Sequence, residues 1–129
     1  MSAQAGVRTK RIYDPPDAAD GVRVLVDRLW PRGMCEETAV LMLWLKDIAP
    51  SPALRQWFGH DPARWPEFVR RYRAQLAADA DSLARLGELA RAGRVTLLYG
   101  ARDRVHNHAR VVADALSDYL EASDDDPAA

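Results

Sequence analysis

Val95-Thr96-Leu97-Leu98-Tyr99 is a short, almost unbroken apolar run followed by glycine. An apolar run of that length without strict alternation suits a strand covered on both faces. Strands of that kind belong to parallel sheets, where crossover helices supply the cover. Val22 to Leu29 reads as a second strand, with Val22, Val24 and Val26 on one face and Leu25 on the other. Arg11-Ile12-Tyr13 is a third, short candidate, stopped by Asp14-Pro15-Pro16.

Helical patterns separate these strands. Ser51 is suited to cap a helix that has Pro52 at its first position and ends at Phe58, before Gly59. Asp61-Pro62 opens another, on which Trp65, Phe68, Tyr72 and Leu76 form an apolar stripe. The next carries Leu83, Leu86, Leu89 and Ala90, with Gly93 as the residue just past its end. The last is expected over Val105–Glu121, with Ala109, Val112, Leu116, Tyr119 and Leu120 facing inward. Cys35 to Ile48 fits both periods and is read as a short helical turn followed by an extended segment. The expectation is an α/β fold: a single domain with a small, mainly parallel sheet and helices packed on it. Residues 1–8 are expected to be a disordered N-terminal segment, 9–122 the domain, and 123–129 a disordered acidic tail.

The 129-residue chain is long enough to bury one core without staples. Its one cysteine, Cys35, excludes an internal disulfide framework and any zinc site made of several cysteines. No apolar stretch approaches the roughly 20 residues of a membrane span. The opening MSAQAGVRTKR lacks the apolar middle of a secretory signal. These features point to a cytoplasmic protein with no membrane partner. A net charge of -1 makes a nucleic-acid partner unexpected. The oligomeric state is not legible.

An open parallel sheet binds ligands outside the carboxyl ends of its strands. Here those ends are VDRLWPRG and LYGARDRVHNH. Candidate ligand-binding residues are Asp27, Arg28, Arg32, Tyr99 and Asn107. Arginine suits carboxylate or phosphate, and the start of the last helix offers free N–H groups. Candidate acid–base residues are His60, His106 and His108, because imidazole ordinarily titrates near neutral pH. The alternative is a structural network, with Asp27 paired to an arginine, Asp61 capping its helix and His108 bonded to a backbone carbonyl or an aspartate.

Other chemistries fit less well. His106 and His108 with Asp103 or Asp27 could be read as metal ligands, but side chains two apart on a helix diverge by about 200°. No metal site and no cofactor is therefore expected. There is no GxGxxG, no Gly-Lys-Ser/Thr phosphate loop and no GxSxG elbow. A phosphatase loop built on Cys35 would need arginine where Leu41 stands. Cys35 is expected to be a buried or half-buried thiol, with Glu36 and Glu37 opposing a thiolate. Trp30, Trp44, Trp57 and Trp65 are expected mostly in the core.

The words RIYDPP, GVRVLVDRLWPRG, WLKDIAPS, LRQWFGHDP and VTLLYGARDRVHNHA resemble the YeaO-like family of bacterial proteins, a domain of unknown function. The likeness runs from about Lys10 to Tyr119. The family's characteristic positions fall on Asp27, Arg28, Trp30, Pro31, Arg32, Trp57, His60, Asp61, Asn107 and His108. Cys35-Glu36-Glu37 departs from it, since the family carries basic residues after WPRG. The resemblance implies a small bacterial α/β domain without an assigned reaction. The functional expectation is recognition of a small anionic ligand at the carboxyl edge, with histidine acid–base chemistry; the alternative is a non-enzymatic interaction or regulatory module.

Overall fold

A computed structural model describes residues 6–124. Four parallel strands form one sheet in the order β1-β4-β2-β3. They are β1 (Val7–Arg11), β2 (Val22–Leu25), β3 (Leu43–Trp44) and β4 (Val95–Tyr99). Five α-helices join and cover them: α1 (Glu36–Ala39), α2 (Pro52–Phe58), α3 (Trp65–Ala78), α4 (Ala80–Ala92) and α5 (His108–Asp124). This is the single α/β domain expected from the sequence.

β4 is central and every one of its residues is buried. Alternation along the strands sorts the core into two layers. Val95, Leu97 and Tyr99 join Val24 and Val26 beneath α2 to α5, where Phe58, Phe68, Tyr72, Leu76, Leu86, Val112 and Leu116 pack. Leu25 and Leu98 face the other way with Ile12 and Ala39, under Trp30, Met34, Leu41 and Trp44. One face thus has a full helical layer, and the other is closed by loops and the single turn of α1.

Polar residues also hold that second face. Register sets Arg8 and Arg23 on either side of Thr96, and Lys10 one row further along. All three cations reach Asp20, which is fully buried: Arg23 at 2.6 Å, Lys10 at 3.1 Å and Arg8 at 3.2 Å. Arg23 also donates to the carbonyls of Ala39 and Val40, satisfying the end of α1.

Several boundaries differ from the sequence expectation. Val7 and Arg8, assigned to the N-terminal tail, belong to β1, because β4 supplies hydrogen-bond partners along its whole length. The strand expected over residues 11–13 therefore lies at 7–11. β2 ends at Leu25, although the Val26 N–H still reaches the Leu98 carbonyl. α5 begins at His108 and carries Ser123 and Asp124, which had been assigned to the acidic tail. The rest of that tail and residues 1–5 lie outside the described residues. Gly93 ends α4 in an extended conformation rather than a left-handed one. Cys35 is exposed, not buried, and its Sγ sits 2.6 Å from Thr38 Oγ1. That hydrogen bond pulls the thiol below its ordinary pKa, against the effect expected of Glu36 and Glu37.

Candidate functional site

The loops that leave β2, β3 and β4 at their carboxyl ends converge around a cavity of about 390 Å³. The β2 loop contributes Asp27, Arg28 and Leu29. The segment after β3 contributes Ala49 and Pro50, and α2 contributes Arg55, Gln56 and Phe58. Ala101 follows β4, and His106, Asn107 and His108 form the entrance to α5. His60 and Phe68 complete the lining.

Local sequence explains how each side chain is held. α2 starts where Ser51 Oγ accepts the Leu54 N–H, and it stops at Gly59 in the left-handed region. His60 follows with φ 56°, an uncommon conformation outside glycine. These two residues turn the chain between α2 and the Asp61-capped turn that leads into α3. His60 lies exposed at the rim, its ring centroid 6.3 Å from that of Phe58.

Asp27 is tied down from three directions. Its carbonyl accepts Trp44 Nε1–H at 2.7 Å. Its Oδ2 accepts the Gly100 N–H at 2.9 Å. Its Oδ1 lies 3.2 Å from His108 Nε2. That nitrogen is 2.9 Å from the Val26 carbonyl, which can only accept, so Nε2 carries the proton. The N–H is directed at Val26, and Asp27 Oδ1 has no hydrogen-bond partner among the described residues. His108 thus pins the end of β2 to the start of α5.

A second knot precedes α5. Asp103 Oδ1 accepts the N–H groups of Val105 and His106, both at 2.8 Å. Its Oδ2 lies 3.0 Å from His106 Nδ1. Those backbone N–H groups, and then the imidazole, hold the Asp103 carboxyl down to about 2. The His106 ring is also packed edge-on against Trp65, with centroids 5.3 Å apart. With Nδ1 engaged, Nε2 is the nitrogen left for a ligand. Asn107 is buried and caps the helix: its Oδ1 accepts the Arg110 N–H, and its Nδ2 donates to the Asp103 carbonyl.

Arg28 reaches across to the β3 side. Its Nη2 donates to the Ala49 carbonyl at 3.2 Å and the Pro50 carbonyl at 3.4 Å. Its Nε is buried and has no partner among the described residues. The exposed Arg55 guanidinium likewise has no hydrogen bond or ion pair among them.

Of the candidate site residues, Asp27, Arg28, His60, His106, Asn107 and His108 line this one cavity. Arg32 and Tyr99 do not. Arg32 is exposed and its carbonyl accepts the Tyr13 hydroxyl, while the Tyr99 side chain points into the helical core. Asp27 Oδ1 lies against His108 and not against an arginine, and Asp61 caps its turn by accepting the Ala63 N–H. Sequence reasoning missed Arg55. The signal was there in principle: β3 is parallel to β2, so the chain after it also emerges at the carboxyl edge.

Among the described residues, no helix is long and apolar enough to cross a membrane. Residues 6–129 match the family model described as the inactive DUF488-N3 subclade. An uncharacterised protein of Mycobacterium tuberculosis strain H37Rv is 40% identical over 117 residues, covering 91% of this chain and 98% of the relative. The uncharacterised protein YeaO of Escherichia coli strain K12 is 42% identical over 110 residues, covering 85% of this chain and 96% of the relative. No solved structure matches the chain. The family model and both relatives agree with the words read in the sequence: the chain belongs to the YeaO-like domains of unknown function, in the inactive DUF488-N3 subclade.

Proposed function

We propose that this domain binds a small anionic ligand in the cavity at the carboxyl edge of its sheet and holds it without turning it over. The observation that carries this reading is the charge balance of the lining. Arg28 and Arg55 share the cavity with three histidines, against a single carboxylate, Asp27. That carboxylate is already engaged by the Gly100 N–H and lies against His108. The first turn of α5 adds backbone N–H groups and the positive end of a 17-residue helix.

The binding-only part of the proposal has separate support. A general acid or base must reach its substrate through a ring nitrogen. His108 commits Nε2 to Val26, and His106 commits Nδ1 to Asp103. His108 then orients the loops, while His106 keeps Nε2 open as a hydrogen-bond partner for the ligand. The binding-only reading is supported by the subclade's description as inactive.

Calorimetry of the full chain with inorganic phosphate tests the proposal. Arg55 is exposed, so Arg55→Ala removes a cation without disturbing the core. We expect saturable binding to the wild type, weakened at least fivefold by Arg55→Ala and more by Arg28→Ala. Arg28→Lys restores charge but not the planar fork, and should recover only part of the affinity. Absence of saturable binding, or binding indifferent to both arginines, would overturn it.

A further inference from the structure

A cavity suited to any oxyanion would offer donors alone, and Arg28, Arg55 and the first turn of α5 supply them. Two lining groups run against that pattern. His106 Nδ1 lies 3.0 Å from Asp103 Oδ2, on a carboxyl held down to about 2 and therefore an acceptor only. Nδ1 thus carries the proton of the neutral ring, and Nε2 is left as a lone-pair acceptor. That nitrogen has no hydrogen-bond partner among the described residues, on a side chain 32% exposed in the lining. The second group is Asp27, 20% exposed, whose carboxylate accepts a single N–H, that of Gly100. A carboxylate has room for about four donors. An oxyanion without a proton meets repulsion from Asp27 and a lone pair on His106. One with an O–H can give its hydrogen to either acceptor and keep its other oxygens for the arginines.

We infer that the ligand is an oxyanion carrying its own O–H at neutral pH, of which hydrogen phosphate is the simplest, and that His106 Nε2 and Asp27 select it over a proton-free anion of the same shape and charge. This rests on the anion reading above and adds selection among anions. Sulfate is the informative contrast, because it is tetrahedral and doubly negative like hydrogen phosphate but has no hydrogen to donate. A phosphate monoester loses its last ionisable proton near about pH 6, so above that it too is proton-free. The inference therefore points to a free phosphate-type anion and away from its esters.

Calorimetry of the full chain at about pH 8, where imidazole ordinarily lacks its second proton, tests the inference with four probes: inorganic phosphate, arsenate, sulfate and methyl phosphate. A hydrogen bond involving a charged group is worth about tenfold or more in affinity. Phosphate and arsenate, which keep an O–H at this pH, are therefore expected to bind at least about tenfold tighter than sulfate and methyl phosphate. Asp27→Asn keeps an acceptor oxygen for the Gly100 N–H but replaces the charge with an amide that can donate. Sulfate should then gain at least about fivefold and the preference for phosphate should narrow. Equal affinities for phosphate and sulfate in the wild type, or a preference for sulfate, would overturn this inference and leave the anion reading intact. A preference for phosphate undiminished in both Asp27→Asn and His106→Ala would overturn the assignment to these two residues. The absence of binding by all four would overturn both readings. The probe series needs no variant, so it decides the matter even if neither variant folds.

Discussion

Replacing Asp20 with asparagine keeps the shape of the side chain and removes its charge. In the folded protein Asp20 is fully buried and faces three cations. Arg8 is 43% exposed and can turn to water, and Lys10 at 21% can do so in part. Arg23, at 4%, cannot. Asp20→Asn therefore leaves Arg23 buried without a counter-charge, although Ala39 and Val40 still accept from it. Breaking a buried pair from one side costs about 3–5 kcal/mol, and the remaining carbonyl partners favour the lower end. A loss of about 3 kcal/mol corresponds to a Tm lower by roughly 10–15 °C in a domain of this size. Urea unfolding followed by circular dichroism measures it. Burial pushes the Asp20 carboxyl up, but hydrogen bonds from Lys10, the Asp17 N–H and Arg23 outweigh burial and hold it below its ordinary 3.8. A lowered folded pKa stabilises fully above the unfolded value and is lost as pH falls through the folded one. The difference between wild type and variant should be complete at pH 6–7 and shrink below about pH 4. A difference under about 1 kcal/mol at pH 7, or one that grows in acid, would refute the reasoning.

Gly21→Ala should cost more than about 2 kcal/mol by urea unfolding. Gly21 has φ 64°, and an added Cβ would meet the Arg94 carbonyl oxygen at 2.4 Å. Gly87→Ala should stay within about 1 kcal/mol of neutral, because helix propensity in α4 offsets a contact with the movable Tyr119 ring at 2.8 Å. Tyr72→Phe leaves the Ile48 carbonyl without its 2.6 Å hydroxyl donor and should cost about 1–3 kcal/mol in the same assay.

Elements with strong local signals were legible before the structure. Ser51-Pro52 and Gly59 bound α2 at both ends, and the stripe of Phe68, Tyr72 and Leu76 is the buried face of α3. β4 was legible because both its faces are covered. β1 was not, because Val-Arg-Thr-Lys-Arg carries little apolar signal. Its Arg8 and Lys10 are held by Asp20, a partner that only the parallel pairing of strands brings near. β3 is two residues long, too short for any period to show, and with it went Arg55. The tail boundary at 122 failed because α5 continues through a stretch whose residues are polar.

Site residues followed the same division. Arg28, His106 and His108 were legible as neighbours at one edge because the carboxyl-edge rule needs only strand order and direction, and they do line one cavity. Arg32 lies four residues past Arg28, beyond the Trp30-Pro31 turn, and that turn takes it away from the cavity. Tyr99 is the last residue of β4, and alternation points it into the helical core. The commitment of His108 Nε2 to the Val26 carbonyl depends on a long-range contact that spacing alone does not encode, whereas His106 meets Asp103 locally, three residues away.

A titration of the ¹⁵N-labelled chain with inorganic phosphate, followed by heteronuclear NMR, tests the account most directly. Saturable shifts are expected at Arg28, His60, Ala101 and His106 to His108, with the Arg55 side chain following the same isotherm. The Asp20 cluster on the opposite face, with Arg8, Lys10 and Arg23, should stay unmoved. Shifts centred on that cluster, or no saturable shift at the carboxyl edge, would contradict the assignment of the cavity as an anion site.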